Sequence, residues 1–139
     1  MANNYTQFSV LLPKVAEDKL AAFMATAEAR QKAAEEEGNY ESMPLRGMEH
    51  EMRGGELWLY AKEGGDVDAA AKLIQAFLAH FDIAGGIYMS WACTCSKPRI
   101  NQFEGGAVVV TRKDMLWLSS YDVLKQASEA GVEVLNEWE

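Results

Sequence analysis

Apolar positions along this chain switch between two spacings, and the switches divide it into elements. From Gln7 to Pro13 the run Phe8-Ser9-Val10-Leu11-Leu12 reads as a strand that Pro13 stops. Leu20, Phe23, Met24 and Ala27 then recur at helical spacing, which predicts a helix over residues 16–37 that ends before Gly38. Gly38, Asn39, Pro44 and Gly47 mark residues 38–47 as a loop. Residues 48–62 read as a hairpin turning at Arg53-Gly54-Gly55-Glu56, with Leu57-Trp58-Leu59-Tyr60 as its second arm. Asp66 is placed to cap a second helix, whose stripe of Val67, Ala70, Ile74, Phe77, Leu78 and Phe81 is the cleanest periodicity present. Residues 87–95 and 107–117 follow as two long strands, antiparallel neighbours across the 96–106 connection. Ser119, with Asp122 at the capping-box position, opens a third helix that Gly131 stops. Residues 132–135 read as a short final strand.

The resulting order is β-α-β-β-α-β-β-α-(β). Two helices separated by hairpins fit a single α+β domain over residues 1–139, with a mixed or antiparallel sheet and the helices on one face. The first six elements match the ferredoxin-like order βαββαβ, and βα(β) follows. That architecture hosts many unrelated activities, so function has to be argued from a site.

Composition narrows the class. A chain of 139 residues with 49% apolar and 24% charged residues can bury a core without staples. No apolar run reaches the length of a membrane-spanning helix, and no basic and apolar leader opens the sequence, so neither a membrane partner nor export is expected. Two cysteines without an export signal point to the cytoplasm. Residues 86–113 carry a local balance of +3, from Lys97, Arg99, Arg112 and Lys113 against Glu104, which leaves −11 on the rest of a chain of net −8. Such a surface repels nucleic-acid backbones, so no direct nucleic-acid binding is expected. The acid either keeps the protein soluble or docks a basic partner.

The positive exception sits at one turn. The run Trp91-Ala92-Cys93-Thr94-Cys95-Ser96-Lys97-Pro98-Arg99 is strand-like until Pro98, and Gly105-Gly106 then starts the next strand. Lys97 and Arg99, the Ser96 hydroxyl and the free amides of a turn suit a carboxylate or phosphate. Trp91, Cys95, Ser96, Lys97, Arg99, Gly105 and Gly106 are therefore the candidate ligand-binding residues. The plainer alternative is a solvated hairpin end, with the glycine pair serving strand entry or a bulge.

Other reactive side chains have ordinary readings. Cys93 and Cys95 share one strand face with Cα atoms about 6.6 Å apart, too far for a disulfide in a regular strand. Buried small hydrophobes is their simplest role, although Lys97 and Arg99 would favour a Cys95 thiolate. No recognised zinc spacing links them to His50 or His80, so no metal and no cofactor is expected. His80 falls late in the second helix, where a cation suits the helix C-terminus. His50, between Glu49 and Glu51, faces either core or solvent. Glu35, Glu36 and Glu37 end the first helix with acids where the macrodipole prefers bases. Trp58, Trp91 and Trp117 are core or hairpin-pair candidates. Trp138 in the acidic tail either docks back or serves an oligomer contact, so a homodimer is among the expected assemblies.

Phe8-Ser9-Val10-Leu11-Leu12-Pro13, the 91–99 run and Phe103-Glu104-Gly105-Gly106-Ala107 together resemble a family of small uncharacterised bacterial proteins associated with phages, plasmids and integrated elements. The similarity covers most of the chain, with residues 94–99 its most distinctive part. The family pattern has Gly where Glu104 stands. The resemblance brings no activity and implies an accessory or counter-defence role. The reading that follows is a non-enzymatic binding protein, taking a small anionic ligand or a protein partner at the 96–99 turn. A small enzyme using Cys95 or His50, and a structural or oligomerising protein, are the alternatives.

Overall fold

A computed structural model of the chain describes residues 4–97 and 103–135. Strand β1 (Asn4–Leu11), helix α1 (Glu17–Glu37), strands β2 (Glu49–Arg53) and β3 (Glu56–Ala61), helix α2 (Val67–His80) and strand β4 (Ile87–Cys95) come first. Strands β5 (Glu104–Val110) and β6 (Met115–Ser119) and helix α3 (Ser120–Glu129) follow. The fold is α+β, with one six-stranded sheet in the order β2-β3-β1-β4-β5-β6. Every ladder in it is antiparallel.

Strand alternation sends every second side chain to the face that α1 and α2 cover. Phe8, Val10, Leu57, Leu59, Met89, Val108 and Val110 are buried there. Leu20, Met24 and Ala27 of α1 meet them, as do Ala70, Ile74, Phe77 and Leu78 of α2, in one contiguous core. The predicted stripe of the second helix is thus the centre of the core. Its Asp66 cap is formed as well, the Ala69 amide donating to Asp66 Oδ1 at 3.0 Å. Helix α1 ends on Gly38 at φ 68°, a left-handed conformation that glycine adopts at little cost. No helix among the described residues is long and apolar enough to cross a membrane.

Three sequence expectations need correction. The first strand starts at Asn4 rather than Gln7, because β4 is long enough to pair with polar residues, Asn4 with Cys95 and Tyr5 with Thr94. The single strand expected over 107–117 is two, β5 and β6, joined by a turn at 111–114 that contains neither Gly nor Pro. Thr111 makes that turn with its side chain, whose Oγ1 accepts from the Asp114 amide at 2.9 Å, while the Thr111 amide donates to the Asp114 carbonyl at 2.8 Å. The final strand expected at 132–135 is absent. The Val132 amide instead donates to the Ala127 carbonyl at 2.9 Å and closes the end of α3.

The two edges of the sheet differ. Edge strand β2 carries Glu49, His50, Glu51 and Arg53, whereas edge strand β6, Met115-Leu116-Trp117-Leu118-Ser119, carries no charge. Helix α3 buries none of its side chains.

Candidate functional site

The residues nominated from sequence divide into two groups. Ser96 and Lys97 leave the end of β4 exposed to solvent, and Arg99 lies outside the described residues. Trp91, Gly105 and Gly106 are instead engaged with one another by packing. Gly106 lies opposite Trp91 in the β4–β5 ladder, and a Cβ on it would sit 2.6 Å from Trp91 Cζ2 and 2.5 Å from the Leu118 carbonyl oxygen. The missing side chain lets the indole lie across the strand, where it meets Trp117 edge-on at 5.7 Å between ring centroids. Cys95 is buried and Cys93 half-buried, both as free thiols, with Cys93 Sγ 3.6 Å from Thr6 Oγ1.

The pair of groups considered for chemistry does not meet. His50 turns to the helix side, where its Nε2 lies 3.2 Å from Glu28 Oε1 of α1. It stands on β2, while Cys95 stands on β4, three strand spacings away in the sheet. At about 4.8 Å per spacing they are about 14 Å apart across the strands alone. His80 closes α2 by packing between Phe23 and Phe81, with ring centroids at 5.2 and 4.8 Å. Glu35, Glu36 and Glu37 are exposed, and Trp138 lies outside the described residues.

A more enclosed feature lies on the helix side, and sequence reasoning missed it. Helices α1 and α2 leave a groove of about 500 Å³ between them, within the range of small-molecule sites. One stripe of each helix lines it, Ala22, Thr26 and Arg30 from α1 and Ala69, Leu73, Ala76 and His80 from α2, with Lys72 beside them. Alanines on facing turns hold no bulk between the helices, so the space stays open. Phe23 closes one end, stacking edge-on against Phe77 at 5.8 Å. The stretch Glu41, Ser42, Met43 and Pro44 walls the other.

That wall is pinned by a polar node under the groove. Arg46 is only 7% exposed, and its Nε donates to Asp66 Oδ2 at 2.9 Å. Its Nη1 donates to the carbonyls of Glu41 and Met43, both at 3.1 Å. The Tyr40 hydroxyl donates to the same Asp66 oxygen at 2.9 Å, and the Leu45 amide donates to Gln31 Oε1 of α1 at 2.9 Å. Burial alone would push the Asp66 carboxyl up. The Ala69 amide, Tyr40 and Arg46 outweigh it, holding the carboxyl below the ordinary value, and the same hydrogen bond to Asp66 raises Tyr40. One carboxylate therefore caps α2, neutralises a buried guanidinium and fixes the loop.

The groove carries two cations of its own, Arg30 and Lys72, besides the Arg46 that Asp66 neutralises. Among the described residues, neither Arg30 nor Lys72 has a carboxylate within ion-pair distance, although the chain holds 21 acids against 13 bases. For Arg30 the reason is local, since its neighbours at helical spacing are Thr26, Ala27, Ala33 and Ala34. That uncharged neighbourhood was the available signal in the sequence. The floor, made of the buried Ala27 and Leu73, is apolar. An apolar floor beside Arg30 and Lys72, with Glu41 the one carboxylate in the lining, leaves the groove a net positive charge that can hold a small organic anion.

Comparison of the chain with protein-family models, with curated proteins and with solved structures gave no match.

Proposed function

We propose that the protein is a non-enzymatic binding protein that captures a small organic anion, a phosphate or carboxylate attached to an apolar or planar body, in the groove between α1 and α2. The observation that carries this reading is the groove itself, apolar at its floor and lined by Arg30 and Lys72 against one carboxylate, Glu41, with Arg46 held by Asp66. Arg30 offers a planar fork of donors and Lys72 a mobile ammonium, which together suit an oxyanion. The resemblance to proteins of phages and plasmids fits such a role, because sequestering a nucleotide-like signal or small metabolite is a counter-defence device that needs no catalysis. We further read the β2-β3-β1-β4 part of the sheet, with α1 and α2 on one face, as a ferredoxin-like unit extended by the β5–β6 hairpin. Its strand order and antiparallel pairing support that reading.

The 96–99 turn is the competing location, since Lys97 is exposed at the end of β4. Titration calorimetry against a panel of mononucleotides and aromatic carboxylates separates the two. Arg30→Ala with Lys72→Ala is expected to weaken a binding member by about a hundredfold or more, each charge-assisted contact being worth about 1.5–3 kcal/mol where water is excluded. Lys97→Ala with Arg99→Ala is expected to leave it unchanged. Loss confined to the second variant moves the site to the turn.

A further inference from the structure

The β6 edge is built to be paired. Across the β5–β6 hairpin the Thr111 amide donates to the Asp114 carbonyl, so 111 and 114 are a hydrogen-bonded pair. Antiparallel ladders alternate, which makes 109–116 and 107–118 the next hydrogen-bonded pairs and turns the N–H and C=O groups of Met115 and Trp117 outward. The Ser119 amide also faces that way, but it donates to the Asp122 carboxylate, so the pairing surface ends there. Two residues of outward backbone remain on a strand without a charge, Pro or bulge. The opposite edge, β2, carries four ionisable residues among its five. Charged edges resist pairing and bare ones invite it.

We infer that β6 pairs antiparallel with β6 of a second copy about a twofold axis through Trp117, joining the two sheets. In that register each Trp117 exchanges two backbone hydrogen bonds with the partner's Trp117, and Leu116 lies beside the partner's Leu118 on the face away from α1 and α2. Leu116 and Leu118 are 66% and 55% exposed in the single chain. The row beneath them is apolar too, Leu116 opposite Val109 and Val109 opposite Tyr88, so pairing extends a surface already continuous over three strands. Charge selects both the occupant and the direction. A chain of net −8 repels its own copy over most of its surface but not along an uncharged strand. Arg112 and Lys113 against Asp114 leave the start of the strand at +1, and Asp122 follows its end, so antiparallel pairing sets each basic end beside the partner's acidic end, whereas parallel pairing would align like charges.

Sedimentation of the full chain over a wide concentration range tests this directly, and a reversible dimer is expected. Leu118→Lys places a lysine beside the partner's Leu116 and is expected to raise the dimer dissociation constant at least tenfold. Adding Leu116→Glu to it is expected to restore the dimer, because each glutamate then faces the partner's lysine. Leu11→Lys, on the same sheet face at the β1 position, is expected to change nothing. Hydrogen exchange of the unmodified protein gives a readout that no variant's folding can confuse, since the Trp117 amide should gain protection as concentration rises. A wild-type chain that stays monomeric throughout overturns the inference. So does a dimer that Leu118→Lys leaves intact, or one whose formation protects amides elsewhere but not at Trp117.

Discussion

The half of the molecule up to α2 and the stretch after β5 share one sheet, yet they are built on opposite terms. Between β1 and α2, both helices lay an apolar stripe on the strands, and Leu20, Met24, Ile74, Phe77 and Leu78 are essentially inaccessible. After Val110 no described residue is buried. Helix α3 is as amphipathic by sequence as a core helix, but Tyr121 and Val123 face solvent. Periodicity alone therefore makes a helix without deciding whether anything covers it. What differs is length and placement: α1 and α2 cross over the sheet between strands, whereas α3 follows the edge strand and has no second layer to meet.

Substitutions sharpen this contrast. The largest effect is expected in the core, where Ile74→Ala or Phe77→Ala should each cost about 2–5 kcal/mol in urea unfolding through lost burial and a cavity. Unchanged midpoints would mean that α2 does not carry the core. Gly106→Ala comes next, at about 1–3 kcal/mol, because its methyl group has to displace the Trp91 ring or the Leu118 carbonyl. The near-ultraviolet signal of the Trp91–Trp117 pair should change with it, tying the β5–β6 region to the body through one indole.

A smaller, pH-dependent effect belongs to the node beneath the groove. The Asp66 carboxyl is held below its ordinary value in the folded chain, so its contribution is present above about pH 4 and is lost as pH falls through the folded value. Asp66→Asn keeps a competent helix cap but removes the charge. Its urea midpoint should fall at neutral pH and converge on the wild type as pH drops through the folded value of Asp66. Parallel curves at all pH values would remove Asp66 as the source. Least of all, Tyr121→Ala or Val123→Ala in α3 should shift the stability of the dilute single chain by no more than about 0.5 kcal/mol. A loss as large as that of Ile74→Ala would erase the contrast between the two regions.

Legibility in the sequence followed the physics that was local. Helix α2, its Asp66 cap, the Gly54-Gly55 hairpin and the limits of β4 are written in side-chain spacing and turn residues, and each appears where that spacing puts it. The 111–114 turn was illegible because a threonine hydroxyl, rather than Gly or Pro, reverses the chain. The groove was illegible for a different reason. Arg30 and Lys72 are ordinary surface cations until two helices some forty residues apart are laid side by side, and Arg46 looks like loop charge until Asp66 is found against it. In contrast, the 91–106 stretch stood out for its composition, and the composition of Trp91 and Gly106 is explained by one ring lying on one glycine.

The register that places Asn4 opposite Cys95 has a consequence for how the chain assembles. Strand β1 lies between β3 and β4, so Asn4 finds its second neighbour, Cys95, some ninety residues along the chain. Until the two strands pair, the apolar side chains of β1 depend on β3 and the two helices for cover. Closing so long a loop is slow compared with folding a hairpin. The β4–β5 and β5–β6 pairings are sequential neighbours, and they add onto β4 once it has docked. The sheet thus joins one distant closure, at β1, to local pairings that end at the uncharged strand.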